Sequence, residues 1–273
     1  RISLYYLEIE KTNAVTYLSV PANGYFIVDM STTVASTATF VTQPGIYYYV
    51  NDENLTCEGN LQMNGGILTL SDYMAMLTLG TNSYLNSVIV QNGCVAMFQS
   101  DAVINGTLDF ADGSINIRNR NITIGKYWVS ESPDDCVYSG STVTFSGTAD
   151  QNCYNTNFYK LYINKPSGKF IVPQNSSVGA TLYQLISGSV EVNGGNLIVG
   201  SQVSNVNGAY NLNGGEFSIN FSTAQSININ AALNITNGNF NITGGTSSGC
   251  TWANTSPMSL TMSGGSLNFT DNG

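Results

Sequence analysis

Leu61-Gln62-Met63-Asn64-Gly65-Gly66-Ile67-Leu68-Thr69-Leu70 joins two short apolar-polar alternations through an Asn-Gly-Gly turn. The same text returns as Val190-Glu191-Val192-Asn193-Gly194-Gly195-Asn196-Leu197-Ile198-Val199. It returns again as Tyr210-Asn211-Leu212-Asn213-Gly214-Gly215-Glu216-Phe217-Ser218-Ile219, and as Leu260-Thr261-Met262-Ser263-Gly264-Gly265-Ser266-Leu267-Asn268-Phe269. Alternation places the apolar members on one side of a strand and the polar ones on the other. Glycine supplies the turn because it reaches positive φ without a Cβ penalty, and Asn is the next most tolerant residue there.

The spacing of the copies decides between two architectures. Val88, Val90, Val95 and Met97 align with Leu108, Phe110, Ile115 and Ile117, about 20 residues on. Val190, Val192, Leu197 and Val199 align with Tyr210, Leu212, Phe217 and Ile219 at the same step. A longer step reaches Phe240 and Ile242, with its extra residues assigned near Ser222 to Asn230, and a decayed second arm at Ser247 and Gly249. Asn-Gly turns also make hairpins, so a β-sandwich or jelly roll is the alternative. A fixed period with tolerated insertions favours an all-β, right-handed parallel β-helix with rungs of about 20 residues. Its corners are Asn64, Gly65, Gly66, Asn193, Gly194, Gly195, Asn213, Gly214, Gly215, Gly244, Gly245, Gly264 and Gly265.

Four segments follow from the pattern. Residues 1–56 hold strand-like runs without the Gly-Gly repeat and read as an N-terminal β cap or an arm reaching a neighbouring subunit. Residues 57–125 are rungs, 126–180 irregular rungs or inserted loops, and 181–273 rungs again. The chain opens at Arg1 with no signal-like segment, which reads as a mature chain or a piece of a longer one. It closes on a well-formed repeat, so either it is truncated or another subunit covers that rung. No apolar run approaches the roughly 20 residues that span a bilayer.

Composition narrows function. Charged residues are 9% of the chain, against roughly 25% in an ordinary domain, so Asn, Ser, Thr, Gln and Gly must clothe the surface. The net charge of −9 argues against nucleic acid as a partner. There is no histidine, which removes the commonest general base and transition-metal ligand. Among the five cysteines none forms a CxxC pair; Cys136 and Cys153 bracket a loop-like stretch and are the disulfide candidates, with small buried hydrophobes as the other reading.

Carboxylates are candidate catalysts because some β-helices cleave pectin. A glycosidase needs two, roughly 5–10 Å apart. Asp109 with Asp112 and Asp134 with Asp135 are the close pairs, and they read as solvated acids. No catalytic, cofactor-binding or metal residue is expected, and structural calcium is not expected near Asp109, Asp112 or Asp134, since the nonapeptide of calcium-binding β-rolls is absent. Thr69, Thr123, Thr142, Thr144 and Thr261 do not repeat in register, which argues against an ice-binding ladder. Asn54, Asn105, Asn121, Asn175, Asn220, Asn234, Asn241, Asn254 and Asn268 each head an N-glycosylation sequon. N-glycans are therefore the one expected adornment. Asn241 and Asn268 fall at outward positions of the repeats.

The Gly-Gly-x-apolar-x-apolar series, with Phe-x-x-Asn at Phe269 to Asn272, resembles repeats of secreted β-helical surface proteins, including adhesins and autotransporter passengers. The likeness covers about half the chain. Repetition, sparse charge and missing histidine lead to the same expectation: a non-catalytic extracellular or cell-surface structural protein. It would be a subunit of a filament or coat that self-associates into a homopolymer by stacking or strand addition. A polysaccharide-active or glycan-binding β-helix is the alternative.

Overall fold

Apolar-polar alternation folds here into parallel strands whose inward residues stack on their equivalents one turn away. The computed structural model describes residues 2–9, 15–18, 25–35, 38–42, 47–50, 53–57, 60–71, 74–201, 205–221, 227–245, 250–251 and 259–272. The fold is all-β, a parallel β-helix of about 21 residues per rung. The pairings are parallel throughout the described residues, so the hairpin alternative is not what forms. The chain divides into two compact units, Arg1–Ser141 and Thr142–Gly273.

In the first unit one wall runs through Tyr25–Val34, Tyr47–Val50, Ile67–Leu70, Ser87–Val90, Leu108–Asp109 and Trp128–Val129. Register fixes an inward column of Phe26, Tyr48, Leu68, Val88, Leu108 and Trp128, all buried. A second wall runs through Glu53–Cys57, Met74–Thr78, Val95–Phe98, Ser114–Asn116 and Cys136–Val137. A third includes Asn60–Met63, Ala102–Ile104 and Asn121–Ile124, linked by bridges at Gln62–Tyr84 and Leu85–Ile104. The segment expected as a cap or arm is itself coil: Ile2–Ile9 pairs with Tyr25–Val34, which pairs with Tyr47–Val50 and Glu53–Cys57. Phe26, Thr32 and Val34 lie in register with Tyr48, Leu55 and Cys57, all buried, in a stretch without a Gly-Gly pair.

Two register expectations need correction. On the second wall Ala96 and Phe98 face inward while Val95 and Met97 do not, because Ala96 pairs with Ile115 and Met97 with Asn116. The corner Gln91-Asn92-Gly93-Cys94 ends with Cys94 buried, and one added corner residue inverts every following side chain.

In the second unit Phe170, Val190, Tyr210, Leu233 and Leu260 form one column, and Val178, Leu197, Phe217, Phe240 and Leu267 another. Phe240 and Ile242 thus lie in register with Phe217 and Ile219, as a second arm, and Leu233 and Ile235 form the first arm of that rung. The corner between them is Asn237-Gly238, with Gly238 at φ 107°. The spacing misled because Thr236-Asn237-Gly238-Asn239 lacks the double glycine. Ser247 and Gly249, and all of Ser222 to Asn230, lie outside the residues whose side chains are described.

Candidate functional site

The corners carry the strictest local chemistry. Gly66, Gly194, Gly214, Gly215 and Gly265 all have positive φ. Gly215 sits at φ 73°, and a Cβ there would overlap the carbonyl oxygen of Gly195 one turn earlier. That oxygen accepts a hydrogen bond from the Glu216 backbone N–H at 2.9 Å. Gly244 and Gly245, expected at a corner, lie at the end of the strand Ile227–Gly245 and pair with Asp271 and Asn272.

The carboxylates are spent on the backbone. Asp109 accepts from the Ala111 N–H at 3.1 Å and Asp112 from the Asn92 N–H at 2.9 Å. Asp135 closes a capping box with Ser132 around the 3-10 turn Pro133–Asp135, and Asp134 is exposed beside it. Asp109 and Asp135 each satisfy a donor of their own turn, and Asp112 one in the corner a rung earlier. Among the described residues no three His, Cys, Asp or Glu side chains gather as a metal site.

No disulfide forms among the described residues, which corrects the Cys136–Cys153 expectation. Cys57, Cys94, Cys136 and Cys153 are buried thiols that occupy inward positions as small apolar side chains. Burial pushes the Cys57 thiol up to about 12 and raises Cys136, which the nearby Asp135 raises further. Burial likewise raises the Tyr48 phenol, against a hydrogen bond with Thr32 that lowers it. Unfolded thiols ionise near 9.0, so these groups favour the native state fully below that pH and lose the advantage as pH climbs toward 12. Urea midpoints of the first unit are expected to fall steeply between about pH 9 and pH 11. Cys57→Ala with Cys136→Ala is expected to flatten that slope.

The sequons differ in what holds their amides. Asn105, Asn121, Asn175, Asn220, Asn234 and Asn268 are exposed, and Asn241 is half-buried. Asn241 donates to Ser218 Oγ at 3.1 Å and accepts from the Asn268 amide at 2.8 Å, an outward ladder along three rungs. The Asn121 amide is held by Asp101 at 2.8 Å. The side chains of Asn54 and Asn254 lie outside the described residues.

Two arrangements escaped the sequence reading. Lys165 is 1% exposed, and its ammonium donates to Gly147 O at 2.7 Å, Ala149 O at 2.8 Å and Gln151 Oε1 at 2.5 Å. Desolvation pushes its pKa down to about 8, opposed by Asp150. The available signal was phase: Leu161, Ile163 and Lys165 are alternate residues of one strand, so Lys165 had to face inward.

The second is a groove of about 640 Å³ on the first unit, running over three successive corners. Thr81 comes from the first corner, Gln99 and Asp101 from the second, and Arg120 from the third. Val103 and Thr123, rung partners, complete its apolar and hydroxyl lining. Asp101 is fixed by both the backbone N–H and the amide of Asn121, each at 2.8 Å. Arg120 is oriented by its Nε, which donates to Phe98 O at 3.2 Å. No protein family, curated protein or solved structure matches the chain.

Proposed function

We propose that this chain is a non-catalytic structural protein of the cell exterior, a subunit of a filament or surface coat. Subunits join by adding turns along the coil axis, whether by stacking or by strand addition. One observation carries the reading. The described strands pair in parallel, rung on rung, and stack inward columns such as Phe170, Val190, Tyr210 and Leu233, so the coil is built of like turns that bury one another. A turn supplied by another copy would extend that stacking over exposed apolar side chains such as Leu260 and Met262, which is how a coil of this kind grows. The Ser218-Asn241-Asn268 ladder and the sparse charge support an exterior setting, because hydrogen-bonded amides are insensitive to salt.

Electron microscopy and sedimentation of the purified chain test this directly. Concentration-dependent fibres or sheets are expected, and Leu260→Asp with Met262→Asp is expected to leave a folded monomer. A monomer at every concentration would overturn the proposal.

A further inference from the structure

We infer that the corner groove of the first unit is a binding site for a carboxylated saccharide, with the Arg120 guanidinium receiving the sugar carboxylate. The inference goes beyond assembly and depends on the first unit alone. Three features converge. Arg120 is partly buried, is aimed by its Nε bond to Phe98 O, and has no ion pair; among the described residues the one salt bridge is Lys169–Glu191. Its outer nitrogens therefore face the groove with their fork unspent, and that fork matches a carboxylate with two parallel bonds. Asp101 and Arg120 are the two charged residues of the lining, and the Asp101 carboxylate is already held by the Asn121 backbone N–H and amide, which leaves the guanidinium as the group open to an anion.

The rest of the lining selects a sugar over a simple anion. Asp101 is immobilised by Asn121 and keeps lone pairs that accept from hydroxyl groups. Thr81, Gln99 and Thr123 both donate and accept, as a hydroxyl-rich ligand requires. Val103, 40% exposed in the groove, offers a small apolar surface to the C–H face of a pyranose ring. The volume lies within the range of ordinary small-ligand sites.

Calorimetric titration of the intact chain with a hexuronic acid trisaccharide tests the assignment, against the neutral hexose trisaccharide of the same linkage and an acidic peptide. Saturable binding of the uronate is expected, at least about tenfold tighter than either control, since a charge-assisted bidentate contact contributes about that much. Arg120→Gln is expected to lose about tenfold or more. Val103→Glu, which leaves the Arg120 bond to Phe98 O in place, is expected to repel the uronate to a similar degree. Unaltered circular dichroism in Val103→Glu separates lost binding from lost folding. No binding of the uronate, equal binding of the acidic peptide, or full affinity in folded Val103→Glu would overturn the assignment.

Discussion

Gly215→Val is expected to unfold the second unit's Gly-Gly corner and lower its stability by about 4 kcal/mol or more. Two costs add. The backbone stands at φ 73°, where a β-branched residue is strained by about 1–2 kcal/mol or more. The new Cβ also overlaps the Gly195 carbonyl, so the rungs must separate and the Glu216 bond to Gly195 O is lost. Gly93→Ala isolates the first cost, since Gly93 has φ 71° and nothing within 4 Å of an added Cβ. Thermal denaturation should show a loss of only about 1 kcal/mol for Gly93→Ala. Equal losses in Gly93→Ala and Gly215→Ala would show that corner packing contributes nothing.

Lys165→Met should be the next most damaging change, by about 2–3 kcal/mol. Methionine fills the aliphatic space, but the Gly147 and Ala149 carbonyls lose a charged donor. Relief of the buried charge offsets part of that loss: desolvation outweighs the pull of Asp150 and depresses the pKa to about 8, which still leaves the lysine protonated at neutral pH. The 147–151 loop should become sensitive to protease. The pH dependence has a definite sign. The folded pKa is depressed to about 8 from 10.5, so the unfolded chain holds the proton more tightly between those values. Stability from this group therefore rises with pH above 8, until Tyr183 and Tyr210, both raised by burial, begin to oppose it near 10. Urea titrations at about pH 7.5 and pH 9.5 should show the rise in the parent and its loss in Lys165→Met.

The walls were legible where Asn-Gly-Gly corners stand between clean alternations, as in Val190–Val199 and Tyr210–Ile219, whose predicted partners are the observed ones. There the corner length is constant, so counting residues is the same as counting turns. It failed at Ala96 and at Phe240, where a four-residue corner or a lone Asn237-Gly238 altered the phase. Local pattern does not encode how many residues a corner consumes.

The groove was hidden for a different reason. Thr81, Asp101 and Arg120 are each about 20 residues apart, and only the rung-on-rung register brings them together. Cys136 and Cys153 form no disulfide because closeness in sequence is not closeness across a coil, where successive residues advance around the wall. The sequence alone determined a parallel coil, its Asn-Gly-Gly corners and its sparsely charged composition, because those rest on alternation, φ preference and residue content. Tertiary structure decided which side of each wall faces inward, where the buried ammonium finds its acceptors and which corners line a groove, because those depend on contacts a full turn away in the chain.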